Sequence, residues 1–209
     1  MLPGKFITLE GIDGAGKSTH LSWLETLLSG MGKKVQLTHE PGGTNLGEEL
    51  RKILLDSSQA IHPETEALLM FAARKEHLDK LILPSLAKGN WVISDRFTDA
   101  SFAYQGGGRG IHEDRLKDLE YWVQNTFQPD LTFYFDVTSE LGRKRINARG
   151  NGVEVVDRFE KEKDEFFNRV RESYLKRARR FSNRIHIIDA SEPVEDIRLR
   201  LKNIVLTIC

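Results

Sequence analysis

One stretch constrains the chain more than any other: Gly11-Ile12-Asp13-Gly14-Ala15-Gly16-Lys17-Ser18, set between the apolar segment Phe6-Ile7-Thr8-Leu9 and a helical pattern. Four residues separate Gly11 from Gly16, and Lys17-Ser18 completes a phosphate-binding loop. In a strand, loop and helix of this spacing, successive backbone N–H groups curl round a polyphosphate and the helix N-terminus lies beneath it. Glycine is needed where the backbone approaches the phosphates closely, and Lys17 brings a point charge to the outer phosphates. The Ser18 hydroxyl is then placed to ligate Mg²⁺. The competing interpretation, a glycine-rich turn capped by Ser18, leaves the flanking strand and helix patterns unexplained.

Apolar runs at Val35–Thr38, Trp91–Ser94, Leu131–Phe135 and Ile185–Ile188 alternate with helical periodicities. This pattern predicts an α/β fold with a mostly parallel five-stranded sheet covered on both faces. Leu21 to Leu28 supply the first helix and Leu46 to Leu54 the second. Pro63 opens a long helix with Leu68, Phe71, Ala72 and Leu78 on one side, which Pro84 kinks or shortens. Gly106-Gly107-Gly108 is expected to break the next helical stretch. Leu116, Leu119 and Val123 mark a helix, Leu141 to Ile146 another, Phe159 to Phe181 a long charged one, and Val194 to Val205 the last. With 209 residues and no repeat or linker, residues 1–209 fit one domain.

Lysine plus arginine number 31, as do aspartate plus glutamate, so no overall basic field points to a nucleic acid or a membrane surface. The lone cysteine, Cys209, excludes an intramolecular disulfide and a cysteine zinc site. With no signal-like core near Met1 and no apolar run long enough to span a bilayer, a cytoplasmic, soluble protein is expected.

In parallel α/β sheets ligands lie beyond the carboxyl ends of the strands, where Asp13, Glu40, Asp95, Arg96 and Asp189 all fall. Arg51 and Arg96 have the planar fork suited to a second phosphate group. Asp95, after a buried strand, occupies the place of a second Mg²⁺-organising acid, acting directly or through water, or else only holds Arg96. Phe71 and Arg74, one helical turn apart, could stack on a planar base and donate to its carbonyl edge; taken alone, Phe71 suits a core. His39, His62 and His77 have no metal-ligand spacing. Arg143, Lys144, Arg145, Arg149 and Arg158 surround a glycine-containing loop that reads as a closing lid, about residues 147–158. The arginines from Arg169 to Arg180 read as a solvated face.

Together Glu10-Gly11-Ile12-Asp13-Gly14-Ala15-Gly16-Lys17-Ser18-Thr19, Glu40-Pro41-Gly42-Gly43-Thr44, Phe71-Ala72-Ala73-Arg74 and Asp95-Arg96-Phe97, continuing to Ala103-Tyr104-Gln105-Gly106, resemble the bacterial thymidylate kinase family over nearly the full length. The resemblance implies a P-loop NTPase fold and transfer of the ATP γ-phosphoryl group to thymidine monophosphate (dTMP) with Mg²⁺. Carried onto matching positions, it implies ATP binding by Gly11, Ile12, Asp13, Gly14, Ala15, Gly16, Lys17, Ser18 and Thr19, with Arg143 near the adenine. It implies a dTMP site that includes Glu40 and Pro41, with Asp13 at the sugar, Arg51 and Arg96 at the phosphate, Phe71 and Arg74 at thymine, Ser101 and Gln105 lining the pocket, and Tyr104 crowding the 2′ position. Gly14 stands where some members carry a catalytic arginine, which assigns that charge to the lid, to Arg149 or Arg158, with Arg145 third. A homodimer is also implied, with apolar positions near Leu50 and Leu68 available. Three positions depart from the family's habit: His39, Phe97 and Ser101. The alternatives are a related P-loop nucleoside or nucleotide kinase, or, outside enzymes, a nucleotide-dependent switch or nucleic-acid-associated ATPase. Two arginines without an anion argue against an uncharged acceptor.

Overall fold

Alternation in β1 (Phe6–Glu10) sets the layers: Phe6 faces a cluster of Leu78, Ile82, Val92 and Phe97, while Ile7 and Leu9 join the larger core with Leu24 and Leu28. Every position of β1 is buried, as expected of a strand with helices on both faces. The structure is a computed structural model describing residues 4–149, 158, 159 and 161–209. In it β1, β2 (Val35–His39), β3 (Trp91–Asp95), β4 (Leu131–Asp136) and β5 (Ile185–Asp189) pair in parallel in the order β2-β3-β1-β4-β5. The five expected strands are all present.

The described helices are α1 (Lys17–Gly30), α2 (Asn45–Leu55), α3 (Pro63–His77), α4 (Leu83–Ala87), α5 (Thr98–Ser101), α6 (Glu113–Gln124), α7 (Ser139–Arg149), α8 (Asp164–Arg180) and α9 (Val194–Val205). The Thr44 hydroxyl accepts from the Gly47 N–H to cap α2, and Pro63 occupies the first turn of α3. Among the described residues no helix is long and apolar enough to cross a membrane.

The disturbance expected of Pro84 takes the form of a π-helical segment, Leu78–Ile82, between α3 and α4, in whose first turn the proline sits. The widened turn absorbs the N–H that proline lacks and the clash its ring would make. Leu68 is 53% exposed and Ala72 is exposed, so the inward side of α3 differs from the expected one. That side carries Glu66, Ala67, Phe71, Ala73, Arg74 and His77, whose buried charges interrupt the apolar period. Gly106-Gly107-Gly108 continues a π-helical segment, Phe102–Gly108, against which α8 packs closely. A Cβ on Gly107 would lie 2.7 Å from that of Ser173. The long charged helix starts at Asp164, not Phe159. Its arginines are only partly a solvated face: Arg177 is buried and, with Arg184, donates to Asp99, while Arg171 forks onto Asp136. Although burial opposes it, the Arg177 and Arg184 charges hold Asp99 below its ordinary value.

His20 on α1 stacks against Phe135 at 5.2 Å between centroids, and burial together with the Arg198 charge pulls its imidazole down to about 4. Between that value and the ordinary 6.5 the folded chain binds fewer protons than the unfolded one, so stability rises with pH across this window. The contribution is at most about 3 kcal/mol. Urea unfolding of the wild type and His20→Phe between pH 4 and 7 is expected to show a shallower slope in the variant.

Candidate active site

The loop after β1 turns directly into α1, with Gly11, Gly14 and Gly16 all at positive φ. At Gly14 a Cβ would lie 2.2 Å from the Gly142 carbonyl oxygen of α7, so the loop has no room for a side chain there. The Lys17 ammonium donates to the carbonyl oxygens of Gly11 (3.0 Å) and Ile12 (3.1 Å) and lies 3.8 Å from both Asp13 and Asp95. Burial and the Arg96 charge draw Lys17 below its ordinary range, while Asp95 and Asp13 act in opposition.

Arg96 follows β3 with φ 69°, in the left-handed region that a side chain other than glycine rarely occupies. Its guanidinium donates to Asp13 at 2.7 Å and lies over the Tyr104 ring at 5.7 Å. The sequence had left open that Asp95 holds Arg96; the hydrogen bond goes to Asp13 instead. Burial opposes ionisation of Asp13, but Arg96 and Lys17 hold its carboxyl far below the usual range. The strained turn is fixed from behind: buried Glu10 accepts from the Phe97 N–H and the Tyr174 hydroxyl, both at 2.8 Å.

Beside this turn opens a cleft. Asp13, Glu40, Pro41, Arg51, Arg74, Arg96, Ser101, Tyr104 and Gln105 line it, nine of the expected acceptor residues brought together from three loops and from helical segments spread between α2 and Gly108. Arg51 donates to the Pro41 carbonyl at 2.9 Å. Arg74 donates to Glu40 (2.8 Å), the Phe97 carbonyl (3.1 Å) and Ser101 (2.9 Å), leaving Nη1 buried with no hydrogen-bond partner among the described residues. Glu40 also pairs with His77, which is fully buried and serves as a core histidine. Burial alone would raise Glu40, and the Arg74 and His77 interactions lower it instead.

Phe71 does not belong to the cleft. It is buried with Ala67, Phe102 and Leu116, under the Arg74 guanidinium at 4.7 Å. Its neighbour Met70 takes the place on the cleft wall, with Leu55, Phe97, Ala100 and Phe159. Sequence reasoning had singled out Phe97 only as a motif position and missed the other four, though Met70 stands four residues before Arg74 and so could share its helix edge. Asp189 is a second correction. It lies at the end of the edge strand β5, remains exposed and accepts from Ser191, because the sheet order puts β4 between β5 and the loop strand β1.

Ser18 and Asp95 border a neighbouring hollow that shares Glu40, Arg51 and Arg96 with the cleft. Asp95 Oδ1 is buried there without a hydrogen-bond partner among the described residues. A third hollow beside Ile12 and Asp13 is lined by Ser139, Arg143, Ile146, Asn147 and Phe167, and Arg143 pairs with Asp164 at 2.6 Å. Arg145 donates to the Ala190 carbonyl. Arg158, from the expected lid, donates to Glu66 (2.6 Å) and the Leu54 carbonyl (3.0 Å). The lid stretch 150–157 and the Arg149 side chain lie outside the described residues.

A parallel sheet, a phosphate-binding loop after its central strand and an arginine-lined cleft beside that loop define a P-loop NTPase-fold phosphotransferase with an anionic acceptor. The family model described as thymidylate kinase matches residues 9–200, and the chain belongs to that family. It is 63% identical over 205 residues to a thymidylate kinase of Nitrosospira multiformis, covering 98% of each chain. Identity to a thymidylate kinase of Burkholderia ambifaria is 54% over 208 residues, again 98% of each. Among solved structures, the thymidylate kinase of Ehrlichia chaffeensis superposes with a TM-score of 0.77 at 34% identity, covering 97% of this chain and 99% of that one. The activity is accordingly that of an ATP:dTMP phosphotransferase, which forms dTDP for dTTP synthesis.

Proposed function

We propose that this chain, acting as one domain, carries out the transfer with dTMP in the arginine-lined cleft and the ATP phosphates in the loop, the two meeting at the Asp13–Arg96 pair. The 2.7 Å bond of that pair is the observation that carries the proposal, since it joins the donor loop to the acceptor cleft. Arg96 and Arg51 hold the acceptor phosphate, whose oxygen is already anionic and needs no general base. The unpartnered Nη1 of Arg74 donates to a thymine carbonyl, Ser101 and Gln105 line the base, and Tyr104 closes the sugar's 2′ side. Met70 takes over the apolar contact with the base that Phe71 was expected to make. Lys17 and the loop N–H groups cradle the donor phosphates, and Arg143 borders the adenine.

The residues fit a divalent cation. Ser18 and Asp95 Oδ1, which has no hydrogen bond among the described residues and only the Lys17 ammonium at 3.8 Å, face one hollow, an oxygen donor set suited to Mg²⁺ held mainly through water and phosphate. When bound, Mg²⁺ neutralises charge on the phosphates. A homodimer through α2 and α3 is supported by Leu46, Ile53 and Leu68, all exposed on those helices. A cytoplasmic location suits the lone cysteine and nucleotide substrates.

The test is ADP release from ATP and Mg²⁺ against dTMP, dUMP, dGMP and thymidine. dTMP is expected to give the highest kcat/KM, and a better acceptor elsewhere in the panel would reassign the cleft. For the lid, catalytic use of Arg158 would require it to leave Glu66 and the Leu54 carbonyl, so Arg149 is the stronger candidate at the transferred group. Arg149→Ala is expected to lower kcat about a hundredfold or more, and Arg158→Ala less. The reverse ranking in steady-state kinetics would return the role to Arg158.

A further inference from the structure

Glu66 of α3 is fully buried and does not itself line the cleft. Three donors converge on its carboxylate: Gln105 Nε2 at 2.7 Å, Arg109 Nε at 3.1 Å and Arg158 Nη1 at 2.6 Å. Arg109 in turn pairs with Glu162 ahead of α8. A carboxylate with two guanidinium partners has only lone pairs to offer, so the amide of Gln105 must turn its NH₂ toward Glu66. The other amide atom, the side-chain Oε1 of Gln105, is left for the cleft that this residue lines, and no described residue donates to it.

We propose that Glu66 is a positioning residue for base selection: by orienting the Gln105 amide it makes the cleft present an acceptor beside the Arg74 donor. This rests on the assignment of the base to this cleft. A pyrimidine with a carbonyl at C4 and a proton on N3, as in thymine and uracil, offers the matching acceptor and donor. Cytosine offers an amino group at C4 and a bare N3, the reverse pattern, and would leave buried groups facing like partners. Glu66 thus acts on the base through Gln105 without contact of its own.

The discriminating variant is Glu66→Gln. The side-chain oxygen of the new amide is claimed by the two arginines, which turns its NH₂ toward Gln105. Gln105 must then reverse, offering its carbonyl to residue 66 and its NH₂ to the cleft. The expected result is a fall of about tenfold or more in the kcat/KM ratio of dTMP to dCMP, with the dCMP value rising in absolute terms. A merely structural role would lower both acceptors together and leave their ratio in place. Glu66→Asp keeps the charge but withdraws the carboxylate from the amide, so the ratio is expected to fall severalfold with no gain for dCMP. This variant decides the matter if Glu66→Gln does not fold. An unchanged ratio in either folded variant overturns the proposal. A wild type that prefers dCMP would instead overturn the placement of the base.

Discussion

Arg96→Ala is expected to lower kcat/KM for dTMP by about three orders of magnitude, equivalent to about 4 kcal/mol of transition-state stabilisation. The size follows from what one guanidinium does in this structure. Arg96 is directed by a left-handed backbone that only its surroundings maintain, through the hydrogen bond from Phe97 N–H to buried Glu10. Its side chain reaches Asp13 in the donor loop and borders the acceptor cleft. Alanine would remove the acceptor-phosphate contact and also leave Asp13 without its main counter-charge. Arg96→Lys is expected to recover only a small part, because an ammonium cannot serve a carboxylate and a phosphate with two directed bonds. Steady-state kinetics with dTMP as the varied substrate checks this, and a loss below tenfold in Arg96→Ala would remove Arg96 from the phosphate site.

Lys17→Ala is expected to reduce kcat at least a thousandfold while raising the KM for ATP. The ammonium lies within 3.8 Å of both Asp13 and Asp95, so its loss places two carboxylates beside an incoming polyphosphate with only Arg96, bonded to Asp13, to offset them. The bonds to the Gly11 and Ile12 carbonyls also brace the loop before substrate arrives. Single-turnover measurements at saturating ATP separate the two effects. A variant that regained full kcat at high ATP would show that Lys17 only binds the donor and does not stabilise the transferred group.

The strands were legible because a buried parallel sheet demands short continuous apolar runs, and those runs appear at all five positions. Chemistry was legible wherever it was local: the loop spacing, the Asp95-Arg96 turn, and the strand-end placement of Glu40. Residues whose role depends on which helix face turns inward were not. Phe71 and Met70 are adjacent, both apolar, and separated only by the rotation of α3, which buried Glu66, Arg74 and His77 help to set. Asp189 follows an apolar run just as Asp95 does, yet sheet order alone removes it from the site. Arg177 looked like one charge among many until Asp99, 78 residues earlier in the chain, was found beneath it.

By itself, then, the sequence determined the layered α/β class, the donor loop and the demand for an anionic acceptor, since each follows from periodicity or from residues a few positions apart. Only the tertiary structure decided that Arg96 answers to Asp13, that Met70 and not Phe71 meets the cleft, and that Glu66 governs Gln105. Those outcomes are contacts between residues 39 and 83 positions apart, or the rotation of one helix against its neighbours, and no local pattern encodes them.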